Sequence, residues 1–454
     1  MEKYDTIIIG AGTGGTMAAQ TLANGGADVL LVDIKPKPSI GDKVCGDVVG
    51  EHHVTELKLG TPDNGAFEYK VKGIKIYSPD EETVFTAADK EFMGFMLDRT
   101  LFGQWLLGKA LDAGAELMDS TMFMEPIMEN GAVAGIVAKK GTEKVELRSK
   151  VVIDASGFHG VLRKKLPQMG FTQDIANEDV ELCYREIRRV KKMPDDTNYC
   201  EIYLNQEKTP GGYTWIFPTS ENRINVGLGV YMEGNFPSPK DLFFKHVASR
   251  PLFEGSETLK MGGGFDPTRR PLDQLVGDGV MLIGDAASLV NPIHGGGIGP
   301  SMKSGVFAGE AILDSLNTND FTKAGLWSYA HHFMTNYGLK QASLDIFRRF
   351  LIATDNTDID YGMKYGLLKE DDLMAAGYGE EFEINISDVA SRVFRGIQRM
   401  GLLNNLRLTH SMMKQIKAHY LDYPETPEGF DAWRTKTVSI INEARSKLQG
   451  KPSA

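Results

Sequence analysis

The spacing of apolar and polar residues divides this 454-residue chain into regions of different period. Tyr4 to Ile9 is a short β-branched run, the pattern of a buried parallel strand. GAGTGG follows it, and then TMAAQTLANGG, a run of small residues that predicts a helix with a glycine stop. ADVLLVD (27–33) predicts a second buried strand, which completes a βαβ unit. The pattern then changes. VKGIKIYSP and ETVFTAA read as an antiparallel pair. Residues 97–115 read as a helix with Leu101, Leu106 and Leu107 on one side. VVIDASG (151–157) is an apolar strand ending in a turn. Strand signals crowd the stretch from 180 to 235: ELCYREIRRV, YCEIYL, GGYTWIFPTS and RINVGLGVY. GVMLIGDAAS (279–288) is again a buried strand, and NPIHGGGIG opens a helix that runs to Leu316. Beyond 325 the texture is helical.

These elements predict an α/β fold (α+β overall) in three parts. A Rossmann-type nucleotide-binding domain is built from the separated segments 1–55, 96–175 and 262–335. A strand-rich substrate domain with an antiparallel sheet takes 56–95 and 176–261. A helical C-terminal region takes 336–454.

Charge removes one class of partner. Lys+Arg number 50 against 61 Asp+Glu, a net −11, so the chain repels a phosphate backbone and no nucleic acid is expected. The three cysteines, Cys45, Cys183 and Cys200, are far apart with no CxxC pair. That argues against a disulfide framework and a metal site, and suits a reducing cytoplasm. The N-terminus has no basic segment followed by an apolar one, so no secretory signal is expected. The uncharged stretch Thr6 to Ala27 is too glycine-rich for a membrane span.

Gly10, Gly12 and Gly15 have the G-x-G-x-x-G spacing. The first glycine allows the tight turn, the second lets the backbone approach a pyrophosphate, and the third lets helix and strand pack closely. Asp33 closes the second strand, where a carboxylate holds a ribose hydroxyl. Two later elements favour FAD over NAD. Asp285, after Gly284, can accept hydrogen bonds from ribityl or ribose hydroxyls, or act as a helix N-cap. The amides of GGGIG (295–299) suit the edge of a flavin that becomes negative on reduction.

At these residues a resemblance emerges. GAGTGG, LDR (97–99), DASG (154–157) and IGDAA with GGGIG resemble the fingerprint of the para-hydroxybenzoate hydroxylase-like FAD flavoproteins. More narrowly, GDKVCGD, PGGYTWIFP (210–218), PTRRPL (267–272), NPIHGGG (291–297) and QASLDIFRRFL (341–351) resemble archaeal geranylgeranyl reductases, over nearly the whole chain. The resemblance implies FAD-dependent saturation of isoprenoid double bonds in membrane-lipid precursors. It implies cofactor contacts at Gly14, Gly15, Asp33, Cys45, Gly46, Arg99, Met122, Asp285, Gly297 and Ile298, beside Gly10, Gly12, Gly284 and Gly295 from the glycine patterns. Lys35 is a further cofactor candidate. Thr13-Gly14 replaces the bulkier or Pro-Ala pair of many relatives, which leaves backbone contacts intact.

Tyr213, Trp215 and Phe217 alternate along one strand, so their rings share a face. Such a face suits a long apolar substrate held by buried area, or the packing of a domain on its own core. An isolated double bond cannot take a hydride alone; a proton must arrive with it. Cys45, with an ordinary thiol pKa of about 8.5, carries a proton at neutral pH. Asp47 and His294 are further candidates to deliver it. Simpler roles are a space-filling thiol for Cys45, a backbone-bonded loop residue for His294, and a solvated loop for Asp42, Lys43 and Asp47. Cys183 and Cys200 are expected in the core. Arg99 is read as a phosphate or ribityl ligand in preference to a surface ion pair. Arg269 and Arg270 can anchor a phosphate headgroup or hold domains together.

The rival readings are a flavin mono-oxygenase or halogenase of the same fold, and a redox-neutral flavin-dependent lipid enzyme. YTWIFP differs from the halogenase W-x-W-x-I-P motif at Tyr213 and Phe217. Expected partners are an isoprenoid lipid and an external electron donor, ferredoxin or NAD(P)H. The chain is placed in the cytoplasm with peripheral contact at the membrane inner face. The segment NNLRLTHSMMKQIKAHYL is one candidate for that contact, or else an amphipathic helix docked on the body.

Overall fold

The computed structural model describes residues 3–88, 93–234, 236–370 and 399–448. The βαβ unit forms as predicted. Strand β1 (Lys3–Ile9) leads into helix α1 (Thr13–Asn24) and returns as β2 (Val29–Val32), with Ile7 opposite Leu30 in parallel register. Ile7, Ile8, Leu30 and Leu31 are fully buried because helices cover both faces of a parallel sheet.

The chain next builds β3 (Val48–Gly50), α2 (Glu51–Glu56), β4 (Phe67–Val71), β5 (Gly73–Tyr77), β6 (Val84–Ala88) and β7 (Gly94–Leu97). It returns to the first sheet through α3 (Arg99–Asp112), β8 (Glu116–Met118), β9 (Thr121–Glu129), β10 (Ala132–Lys140) and β11 (Glu143–Asp154). Then come β12 (Glu181–Arg189), β13 (Tyr199–Leu204), β14 (Tyr213–Pro218), β15 (Arg223–Tyr231), α4 (Pro239–Leu242) and β16 (Glu257–Asp266). β17 (Val276–Gly277), β18 (Val280–Leu282) and α5 (Ile298–Thr318) complete the nucleotide-binding part.

Three sheets result. The eight-stranded sheet has the order β17-β18-β11-β1-β2-β8, with β9 and β10 as an antiparallel arm on β11. The seven-stranded sheet has the order β16-β12-β15-β14-β13-β5-β6 and is antiparallel except where β13 meets β5. The predicted pair β5 and β6 is there, with Ile76 opposite Phe85. The small sheet β3-β7-β4 lies between the other two parts of the molecule, its Val71 and Met96 packing on Trp215 and Phe217.

The helical region follows as α6 (Trp327–Phe333), α7 (Leu339–Ile352), α8 (Asn356–Lys364), α9 (Met400–Leu421) and α10 (Phe430–Leu448). Helix α9 contains the segment offered for membrane contact, and it is docked. Met412, Met413, Ile416 and Tyr420 join the same core as Phe347 and Phe350. Among the described residues no helix is long and apolar enough to cross a membrane.

Arg269 and Arg270 serve the fold and not a headgroup. Arg269 pairs with Asp179 (3.4 Å) and Arg270 with Asp273 (3.1 Å). Asp179 also receives Arg348 (2.8 Å), Arg349 (2.9 Å) and Arg445 (3.6 Å), so the helical region is tied by buried charge to the loop before β12. Two further expectations differ from the structure. Leu101 is 39 % exposed while Leu106 and Leu107 are buried, because five residues turn the helix by about 140°. β16 runs unbroken across the expected 261/262 domain division, since its pairing with β12 continues to Glu181–Asp266.

Candidate active site: a nucleotide cleft and a sheet face joined by one loop

The glycines of the first turn answer to different constraints. Gly10 has φ +105°, and a Cβ there would fall 2.5 Å from the Ala155 carbonyl oxygen; one on Gly15 would fall 1.9 Å from that of Gly10. Those two glycines close the packing of strand on helix. A Cβ on Gly12 would meet nothing within 4 Å, because Gly12 faces an open cleft. Asp33 sits at its edge and accepts hydrogen bonds from the Ala11 N–H (2.7 Å) and the Lys35 N–H (2.8 Å). Those two bonds leave carboxylate lone pairs for hydroxyl donors.

The far wall of the cleft contains Arg99, Gly284, Asp285 and Ser301. Arg99 starts α3 behind the N-cap Asp98, whose carboxylate accepts the Leu101 N–H (2.9 Å). The guanidinium is 7 % exposed, and its Nε and one terminal nitrogen have no hydrogen-bond partner. A buried, unpaired guanidinium is costly unless an acceptor joins it. With the empty cradle over Gly12, it fits a dinucleotide phosphate or ribityl chain. Gly284, at φ +57°, turns the chain so that Asp285 faces the cleft. No side chain caps the first turn of α5 at Gly297, so backbone amides stay available at the end of the cleft.

Loop 39–49 connects this cleft to the seven-stranded sheet. Lys43 pairs with Asp285 (2.7 Å), and that carboxylate raises the lysine pKa. The Asp42 carboxylate pairs with Lys260, and the Lys35 ammonium donates to the Asp42 carbonyl. From the sheet side, Arg185 Nε (3.1 Å) and Asn225 Nδ2 (3.0 Å) both donate to the Cys45 carbonyl. Asp47, at φ +62°, is 6 % exposed. One of its oxygens accepts from Asn225 Nδ2 (2.7 Å) and lies 3.4 Å from Arg185, while the other is buried with no partner. Burial pushes the Asp47 carboxyl up to about 6 against the pull of Arg185. Burial and the Asp47 charge push the Cys45 thiol up, which keeps its proton on. This loop is clamped from both sides and half-buried, with Asp47 buried and Lys43 exposed, so of the two readings of Asp47 the solvated one does not hold.

The sheet face beneath it bears the three predicted rings. Tyr213, Trp215 and Phe217 line up on β14, with Tyr213 and Trp215 rings 6.1 Å apart and Trp215 and Phe217 6.4 Å apart. Trp215 and Phe217 are buried against Val71, Met96, Cys200 and Ile202; Tyr213, at the edge, is half-buried. Two rings have polar anchors. Trp215 Nε1 donates to Asn225 Oδ1 (3.0 Å), and the Tyr213 hydroxyl donates to the His294 carbonyl (2.8 Å). Cys200 is buried as expected, whereas Cys183 is half-buried on the same face as the rings.

The predicted cofactor residues Gly12, Gly14, Asp33, Lys35, Arg99, Gly284 and Asp285 share the cleft. Cys45 packs against the apolar cluster that contains Ile298, and Gly46 abuts Phe217, where an added Cβ would sit 3.2 Å from the ring. A Cβ on Gly297 would come 3.2 Å from Asp285, and one on Gly295 2.5 Å from Asp266, so this loop also lies at the junction. Two residues stand apart. Met122 is outside the cleft lining and 40 % exposed, although its neighbour Thr121 donates its N–H to the Asp33 carbonyl (2.8 Å). His294 Nδ1 accepts the Gly296 N–H (3.1 Å), the backbone-bonded role. Sequence reasoning missed Arg185 and Asn225. Their only signal was a polar residue at alternate positions of buried strands, and each reaches the loop across more than a hundred residues.

Comparison with known proteins agrees with this geometry. The family model described as FAD dependent oxidoreductase matches residues 5–165, and that described as Geranylgeranyl reductase catalytic domain matches 179–265. The digeranylgeranylglycerophospholipid reductase of Sulfolobus acidocaldarius is 41 % identical over 98 % of this chain and 99 % of its own length. A geranylgeranyl bacteriochlorophyll reductase-like protein of Thermoplasma acidophilum superposes with a TM-score of 0.77 at 24 % identity, over 90 % of this chain and 100 % of that one. The flavin-dependent brominase Bmp2 shares the fold at a TM-score of 0.62 and 21 % identity, over 98 % of this chain and 100 % of its own. The chain is an FAD-dependent oxidoreductase, and it belongs to the digeranylgeranylglycerophospholipid reductase family.

Proposed function

We propose that this protein saturates carbon–carbon double bonds in the geranylgeranyl chains of a digeranylgeranylglycerophospholipid. The observation that carries the reading is the double attachment of loop 39–49. Lys43 holds Asp285 in the nucleotide cleft, and two residues later the Cys45 carbonyl is held by the sheet that bears the aromatic row.

When bound, FAD supplies the hydride from its reduced ring. The chain's own residues do the rest. Gly12 and Arg99 receive the phosphates and Asp33 a ribose. Tyr213, with Trp215 and Phe217 behind it, offers apolar area to an isoprenoid chain that has no hydrogen-bonding handle. Cys45 presents a protonated thiol to the alkene. Asp47, with its unpartnered oxygen and a pKa near neutral, shares in the proton supply. His294 positions Tyr213 through its carbonyl.

Electrons come from an external donor, ferredoxin or NAD(P)H. The enzyme works in the cytoplasm and meets its lipid by peripheral contact at the membrane inner face. Phe244, Met261 and Phe265, exposed on α4's extension and on the edge strand β16, support such contact. The deciding experiment mixes dithionite-reduced holoenzyme with the unsaturated lipid without oxygen. Flavin reoxidation with a gain of two mass units per saturated bond is expected. No reoxidation without air would instead favour an oxygen-using or redox-neutral flavoprotein.

A further inference from the structure

Two carboxyl groups of the seven-stranded sheet have no part in the reading above. Glu181 on β12 and Asp266 on β16 are directly opposite in antiparallel register, so they rise from the same face, the one that carries Cys183 and Arg185. Like charges so placed repel. Glu181 is 5 % exposed. The cation nearest in influence, Arg348, is already committed to Asp179 (2.8 Å) and Asp345 (2.6 Å).

The space around Glu181 is built for it. A Cβ on Gly212 or on Gly229 would fall 2.4 Å from Glu181 Oε1. Neither glycine has a positive φ, so glycine is needed there for room and not for backbone shape. Gly264, paired with Cys183, has nothing within 4 Å of its Cβ position, which leaves the sheet face open opposite the thiol.

Burial pushes the Glu181 carboxyl up to about 7, opposed by Arg348. Asp266 is pushed well above the usual carboxylate range by burial, then by the charges of Asp285 and Glu181, opposed by Lys43. Tyr213 and Tyr231 face Glu181 from neighbouring strands, and both phenols are raised by burial. Along β12, Cys183 follows Glu181 on the same face, and its thiol is influenced by Glu181, Asp266 and Cys45 together. Two residues further, Arg185 holds the Cys45 carbonyl (3.1 Å).

We propose that Glu181 and Asp266 form a proton-relay pair, which holds one proton and returns it along the Cys183 face of the strand to the Cys45 thiol after each reduction. The proposal rests on the reading of Cys45 as the proton donor to a geranylgeranyl double bond. The thiol proton bonds to one alkene carbon while the hydride of that reaction bonds to the other. The thiolate left behind takes the proton held by the pair, and the pair regains one from water. Both carboxyls act through Cys45 and not on the lipid.

The test compares wild-type holoenzyme with Glu181→Gln and Asp266→Asn under anaerobic conditions. In both variants the first reoxidation of reduced flavin stays within about threefold of wild type, because Cys45 starts protonated. Steady-state turnover falls at least about tenfold, and the decline of the wild-type rate as pH rises through about 7 disappears. Unchanged steady-state rates and pH profiles in both variants overturn the proposal. So does a first turnover that falls as far as the steady state, which marks a structural role. Infrared titration of the wild-type holoenzyme provides an independent readout. A protonated-carboxyl band that persists at pH 7 and is lost only when Glu181→Gln and Asp266→Asn are combined is expected, and its absence from wild type overturns the pair. If wild-type reduced flavin is never reoxidised by the lipid while that band is present, the reaction assigned above is what fails.

Discussion

The two faces of the seven-stranded sheet are drawn from the same strands and are chemically unlike. On the outer face, Ile216, Ile224, Val226, Leu228 and Val230 are aliphatic, fully buried, and covered by Leu242, Phe243 and Val247, and the one buried carboxylate beside them on β12, Glu186, is fully partnered by Tyr184, Arg188 and Thr258. On the inner face, the alternate residues are Tyr213, Trp215, Phe217, Asn225, Gly227 and Gly229, with Glu181, Cys183 and Arg185 beside them. Core packing alone favours the first composition, since each aliphatic side chain contributes roughly 1.5–3 kcal/mol on burial and needs no partner. The second composition carries buried polar groups, which cost free energy unless satisfied. Its ring nitrogens and hydroxyls are therefore bonded, and burial pushes its carboxyls toward the protonated form. The comparison separates what keeps the sheet folded from what the sheet is for.

The contrast can be broken most severely at the loop it supports. Cys45→Ala should lower anaerobic flavin reoxidation by lipid by about 10²–10⁴-fold, the span of a lost proton donor, with FAD retained as read by absorbance. A loss under threefold would return Cys45 to a packing role. On the outer face, Leu228→Ala should cost about 2–5 kcal/mol in denaturant unfolding and leave the reoxidation rate per folded molecule unchanged. Trp215→Phe on the inner face should do the reverse. It should cost only about 1 kcal/mol for the bond to Asn225, yet slow turnover about tenfold as Asn225 loses its anchor on the cysteine loop. Equal stability losses for the two would erase the distinction between the faces.

The smallest effect concerns charge. Glu181 titrates at about 7 in the folded protein against 4.5 as an ordinary side chain, so its contribution to stability is full below pH 4.5 and is lost as pH rises through 7. Glu181→Gln removes that loss and should raise stability by about 1–2 kcal/mol at pH 8 relative to wild type, with little difference at pH 5. Thermal melts at the two pH values check the sign.

Much of the nucleotide cleft was legible because its signals are local. A strand, a glycine turn, a helix and a closing acid lie within thirty-three residues, and each glycine is demanded by a contact a few residues away or by the open cradle. The alternation of β14 put three rings on one face without help from the rest of the chain. The cysteine loop was not legible in the same way. Asp47 lies in a polar, glycine-punctuated stretch that reads equally as a proton donor or as a solvated loop, and its burial is imposed by Arg185 and Asn225, which arrive from distant strands. Arg269 and Arg270 stayed open between an anion site and a domain tie for the same reason, because the acids that take them, Asp179 and Asp273, declare their partners only in three dimensions.

The gathering of Arg269, Arg348, Arg349 and Arg445 around Asp179 has a bearing on how such proteins can be recombined. A hybrid with body and tail from different relatives would bring together guanidinium groups and an acid that had never been matched. Swaps made at the start of the helical region should therefore express poorly unless position 179 travels with the tail. The unit that can be exchanged is set by this knot of charge and not by where the strands give way to helices.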